Sequence, residues 1–155
     1  MYDARGIGLA APQVAELKRF LVIDCRPKNE SGRYDIKEQT ELEQKITQPL
    51  FICNPKILKK RGKTTYDEGC LSVPSFYETV ERANWIELEY QDLDGKTCQL
   101  ETDGLLAIVI QHEMDHLEGT LFIDRISFNS SQKIKKQIEK FGYPEKKKEK
   151  VSSSL

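Results

Sequence analysis

Hydrophobic and polar positions along the chain fall into a run of strands followed by two helices. Arg19 to Cys25 is nearly continuous in apolar residues, which predicts a strand buried on both faces. Leu50 to Cys53 and Ile57 to Lys60 predict two short strands broken by Asn54-Pro55. Thr64 to Val73 ends in a loop closed by Pro74, and Tyr77 to Ala83 follows as another strand. In Trp85 to Gln91, Ile86, Leu88 and Tyr90 alternate with Glu87, Glu89 and Gln91, the pattern of a half-buried strand. Asp92-Leu93-Asp94-Gly95 reads as a hairpin turn, with Lys96 to Glu101 returning antiparallel.

The period then changes. Thr102 or Asp103 is placed to cap a helix from Gly104 to about Leu117, and Gly119 can end it. Leu105 to Ile110 leave that helix almost no polar face, and a helix apolar all round is a buried one. Leu121 to Ile126 predicts a short strand or extended segment. Ser130 to Phe141 predicts an amphipathic helix with Ile134, Ile138 and Phe141 as its stripe. Arg26 to Gln48 is polar and reads as a surface loop, with helix at Glu38 to Lys45. The expected fold is α+β: antiparallel β-sheets wrapped around a central buried helix, plus a C-terminal helix. Residues 1–143 are expected to form one domain and 144–155 a disordered basic tail.

Composition narrows the function classes. A chain of 155 residues fits one domain with a full-sized core. Hydrophobic content of 38% and charged content of 32% fit a soluble protein. A formal net charge of -1 gives no DNA or membrane signal, and no apolar run reaches the length of a membrane span. Charge is uneven, with a lysine-rich stretch from Lys133 to Lys150. With four cysteines, no secretory leader and no disulfide-dense pattern, a reducing cytosol is the default expectation. Cys25, Cys53 and Cys98 lie in strand-like runs and read as small buried hydrophobes. Cys70 lies instead in a glycine-flanked loop.

The buried helix carries Gln111-His112-Glu113-Met114-Asp115-His116, which is His-Glu-x-x-His. Histidines four apart share one helix face, so two imidazoles can grip one metal ion. Glu113 is then placed beside the metal-bound water, whose proton it can take. A catalytic metal usually has three protein ligands and an open position. The chain has only two histidines, so the third ligand must be Cys, Asp or Glu, and Cys70 is the best candidate. A structural zinc site fits less well, because a fourth ligand is absent and a base is present.

Three blocks now stand in order. They are Gly6-Ile7-Gly8-Leu9-Ala10-Ala11-Pro12-Gln13, Glu68-Gly69-Cys70-Leu71-Ser72, and Gln111-His112-Glu113-Met114-Asp115-His116-Leu117-Glu118-Gly119. Together they resemble the three signature motifs of the peptide deformylase family, and the likeness runs from Met1 to about Phe141. The Ser127 to Phe141 segment resembles the C-terminal helix of the family's bacterial type 1 branch. The family has a further N-terminal helix upstream, and Met1 to Arg5 resembles its last turn.

The resemblance implies removal of the formyl group from N-formylmethionyl nascent polypeptides, with release of formate. It implies one divalent metal on Cys70, His112 and His116: Fe(II) in the cell, with zinc, nickel or cobalt as substitutes. Glu113 would be general base and then general acid. Gln13 and the Leu71 backbone N–H would donate to the formyl oxygen. Ile7, Gly8 and Gly69 would line the peptide cleft. Ile7, Leu105, Ile108 and Val109 would shape the methionine pocket. Arg82 would pair with Asp115 and fix the cysteine loop against the helix. The lysine-rich C-terminal helix would dock on ribosomal RNA, if it is more than a solvated face. The location implied is the bacterial cytoplasm, or an organelle. The competing expectations are a truncated, non-catalytic binding protein and a metalloprotease sharing the His-Glu-x-x-His turn.

Overall fold

The computed structural model describes residues 6–29 and 31–144. The expectations for Met1 to Arg5 and for the basic tail beyond Pro144 lie outside them. Seven strands and two α-helices follow in order: β1 (Gly8–Ala10), β2 (Phe20–Ile23), β3 (Leu50–Arg61), β4 (Thr64–Cys70), β5 (Val73–Arg82), β6 (Trp85–Gln91), β7 (Thr97–Asp103), α1 (Gly104–Leu117) and α2 (Phe128–Phe141). The fold is α+β. Five strands make one antiparallel sheet in the order β1-β2-β3-β6-β7, and β4 and β5 form a separate hairpin.

The alternation read in Trp85 to Gln91 puts Ile86 and Leu88 fully inside. They pack with Leu21, Ile23 and Ile52 of the same sheet against Leu106, Ala107 and Ile110 of α1. Every residue from Leu106 to Gln111 is buried, as an apolar helix surface requires. A second core lies between β5 and α2, where Val73, Val80, Phe122, Ile123 and Ile134 meet. Gln111, buried, ties α1 to the β5–β6 corner: it accepts from the Ala83 N–H at 3.1 Å and donates to the Ala83 carbonyl at 2.9 Å.

Several local expectations are corrected. Asn54-Pro55 does not break the strand, since β3 runs through it with a bulge between Cys53 and Lys56. Asn54 absorbs the distortion at φ 49°, and its backbone N–H still reaches the Arg19 carbonyl at 2.8 Å. β5 begins at Val73, and Cys70 is the last residue of β4 rather than a loop residue, so only Leu71 and Ser72 form the turn. Leu121 to Ile126 contains a 3-10 turn at Phe122–Asp124 instead of a strand. α2 starts two residues early because Ser127 caps it, accepting from the Ser130 N–H at 3.2 Å. Its stripe stops at Ile138, since Phe141 is 74% exposed. Cys25 is buried, whereas Cys53 and Cys98 are half-buried at the sheet.

Among its described residues, the polar loop before β3 holds only single 3-10 turns, at Ile36–Glu38 and Glu43–Lys45. It does more than cover surface. Asp103 occupies the N-cap of α1 but makes no capping bond; its side chain accepts from the Thr40 hydroxyl. The cap comes from Glu43, whose buried carboxylate accepts the Leu106 N–H and the Thr40 N–H, both at 2.8 Å. Gly104, at φ +60°, leaves room for that carboxylate, which a Cβ there would strike.

Candidate metal centre and cleft

Two elements bring the donor atoms together. α1 places His112 and His116 one turn apart, with ring centroids 5.0 Å from each other. β4 delivers Cys70 to the same point, with Sγ 3.2 Å from His116 Nε2. One ligand atom from each of Cys70, His112 and His116 lies within 4.8 Å of the others, and no fourth His, Cys, Asp or Glu joins the group among the described residues.

The surroundings tune each donor. Burial resists ionisation of Cys70, but hydrogen bonds from His112 and His116 and from the Ser72 N–H outweigh it, bringing the thiol down to about 5. His112 Nδ1 sits 2.8 Å from Glu68 Oε2, which orients the ring and leaves its other nitrogen for the donor cluster. Burial disfavours the Glu68 carboxylate too, but its bonds to Arg82 and His112 hold it down at about 2. Arg82 grips Glu68 in a fork at 2.7 and 2.9 Å and reaches Asp115 at 2.7 Å. Arg125 closes the far side of Asp115 at 2.6 and 3.0 Å.

Glu113 lies beside the donors, 4% exposed, and its Oε2 has no hydrogen-bond partner. Burial pushes its carboxyl up to about 7 against the pull of the two histidines. A Cβ at position 8 would collide with the Glu113 carboxylate, so Gly8 lets β1 run directly against it. Gln13 is oriented by the backbone: its Oε1 accepts the Ala10 N–H at 2.8 Å, which turns Nε2 toward Ser72 Oγ at 3.2 Å and Cys70 Sγ at 3.7 Å.

These groups open into a cleft of about 590 Å³. Ile7, Gly8, Gln13, Gly69, Leu71, Ile108 and Val109 all line it. Leu105 does not. It is half-buried, its side chain packed against the main core instead of the cleft. Sequence reasoning passed over Glu68, Arg125, Tyr66 and Tyr77. Glu68 had a signal: two residues before Cys70 on a strand, it shares the cysteine's face. Arg125, beyond the helix in a 3-10 turn, had none.

A thiolate and two imidazoles with an open position, beside a buried carboxylate with a free oxygen, fit a catalytic divalent metal, so the fold and site define a metal-dependent hydrolase. The family model for polypeptide deformylase matches residues 1–132. This chain belongs to that family, and its class of reaction is hydrolytic removal of the N-formyl group from nascent peptides. A peptide deformylase of Chromobacterium violaceum is 45% identical over 140 residues, covering 90% of this chain and 74% of the relative. The crystal structure of a Synechococcus elongatus peptide deformylase in complex with actinonin superposes with a TM-score of 0.71 at 42% identity, over 93% of this chain and 70% of that one. One from Ehrlichia chaffeensis gives 0.74 at 34% identity, over 94% and 79%. This assignment favours a deformylase over a metalloprotease or a non-catalytic binding protein.

Proposed function

We propose that residues 1–143 form one catalytic domain that holds a divalent metal, Fe(II) in the cell, on Cys70, His112 and His116. Its substrates are N-formylmethionyl peptides and nascent chains. The observation that supports this most directly is the unpartnered Glu113 Oε2, buried beside the three donors. Zinc, nickel or cobalt suit the same thiolate–imidazole set.

When bound, the metal supplies Lewis acidity, which makes water a nucleophile near neutral pH and polarises the formyl oxygen. Glu113 takes the water's proton and returns it to the leaving nitrogen. Gln13 Nε2 and the Leu71 N–H donate to the formyl oxygen as charge grows on it; one such donor typically contributes about 3 kcal/mol of barrier lowering. The Ala10 N–H presets the Gln13 amide for this, because it occupies the oxygen end. β1 is an edge strand and β4 pairs only with β5, so an extended peptide can lie between them along Gly8 and Gly69. Ile7, Ile108 and Val109 receive the methionine side chain, an unbranched and polarisable group suited to an aliphatic wall. Lysines of α2 and the residues beyond it would hold the ribosome, and the location would be bacterial cytoplasm or an organelle.

The test is formate release from a short N-formylmethionyl peptide by protein purified without oxygen. Turnover is expected to need added Fe(II) and to fall at least about a hundredfold in Glu113→Ala with metal content kept. Full activity in that variant, or without any metal, refutes the assignment.

A further inference from the structure

The turn after Cys70 carries a hydroxyl that no step of the proposed reaction uses. Ser72 is half-buried and does not line the cleft, whereas Gln13, Cys70 and Leu71 do. Its Oγ accepts from Gln13 Nε2 at 3.2 Å, and its backbone N–H reaches Cys70 Sγ at 3.4 Å. Gln13 comes from the other side of the site, on the 3-10 turn Ala11–Val14 that follows β1. β1 belongs to the five-stranded sheet, and Ser72 to the turn of the separate β4–β5 hairpin. Among the described residues, the contacts of Gln13 with Ser72 and Cys70 are the only hydrogen bonds joining the β1 segment to the hairpin.

A primary amide has one carbonyl oxygen and two N–H donors in a single plane. The Ala10 N–H occupies the Gln13 oxygen at 2.8 Å. Ser72 Oγ takes one donor, so the amide can neither flip nor swing freely. The contact left to the other donor is Cys70 Sγ, long at 3.7 Å and on the side of the Cys70–His112–His116 cluster. An oxygen arriving at the cluster can replace that contact without disturbing the Ser72 bond. The Leu71 N–H, the second donor proposed for the formyl oxygen, belongs to the residue just before Ser72. One bond therefore sets the two donors relative to each other.

We propose that Ser72 is a positioning residue: its hydroxyl holds the Gln13 amide so that one N–H stays aimed at the formyl oxygen, in step with Leu71. It touches neither substrate nor metal and acts only through Gln13. This rests on the reading of Gln13 as a donor to that oxygen.

The experiment measures formate release from formyl-Met-Ala-Ala by the metal-loaded enzyme, Ser72→Ala, Gln13→Ala and the double variant. Metal content and melting temperature are recorded for each. Ser72→Ala is expected to lower kcat about three- to tenfold with KM within about twofold, because a bond that orients a transition-state donor is gone. Gln13→Ala should lower kcat about a hundredfold. In the Gln13→Ala background, adding Ser72→Ala should change kcat by less than about twofold, because the group it acts through is absent. A hydroxyl needed only for the fold would cost the same factor in both backgrounds. Unchanged kcat in Ser72→Ala, or an equal loss in both backgrounds, overturns the proposal. Loss of metal from Ser72→Ala overturns it as well, since the hydroxyl would then act on Cys70. Full activity in Gln13→Ala removes the donor reading and the proposal with it. A large loss there beside an unchanged Ser72→Ala removes the proposal alone.

Discussion

Arg82 links the buried charges of the fold to the candidate metal centre. It is 6% exposed and stands between Glu68 and Asp115, each within 2.7 Å. Through Glu68 it reaches His112, so the ring that faces Cys70 is oriented by a charge on β5. Arg82→Leu leaves the Glu68 carboxylate buried without its main partner, while Asp115 keeps Arg125. The expected loss is about 3–5 kcal/mol of stability, because a stranded buried charge costs more than the pair contributes. Arg82→Lys should recover only part, since one ammonium cannot fork onto Glu68 while also reaching Asp115. Urea midpoints of the three proteins check this, and equal midpoints would end the idea. The position of Arg82 came from likeness to a motif. Its second partner was readable only from strand alternation at Glu68 and Cys70, and Arg125 was not readable at all.

At the level of elements, legibility followed how local the cause was. Trp85–Gln91 and Gly104–Leu117 have the observed bounds because side-chain period and burial coincide there. β3 was misread at Asn54-Pro55, because a bulge lets the pairing shift past a residue that cannot donate. The cap of α1 was misread for another reason: it comes from Glu43, far away in a loop whose polarity suggested only solvent. That gives the loop a part in holding the helix that carries His112 and His116. Glu43→Ala should cost about 1–2 kcal/mol, the range of a lost cap with a charge at a helix N-terminus. Hydrogen exchange should speed up first at the Leu106 amide. A variant with unchanged stability and Leu106 protection would show that the Glu43 contact is incidental.

Among the described residues the molecule has two cores, one between the five-stranded sheet and α1, the other between β5 and α2. The three residues that could hold a metal straddle that division. His112 and His116 belong to the helix of the first core, while Cys70 ends a strand whose partner, β5, supplies Val73 and Val80 to the second. A metal held by all three would therefore fasten the hairpin to the helix, beside the Glu68–Arg82–Asp115 chain that does the same with charge. Because such a site exists only in the folded state, metal at about a hundred times its dissociation constant adds about 2.7 kcal/mol. For a chain of this size that corresponds to a melting temperature roughly 5–10 °C higher. Removing metal with a chelator should lower the transition by that amount, and restoring Fe(II) or Zn(II) should return it. Exchange protection should fall in β4 and β5 before it falls in β6 and β7, since the hairpin loses a tether and the sheet does not. Cys70→Ser should respond weakly to chelator, because a neutral hydroxyl is a poor substitute for a thiolate. If chelation abolishes turnover but leaves both the melting temperature and the hairpin's protection unchanged, the charge network alone joins the two cores and the metal serves chemistry only.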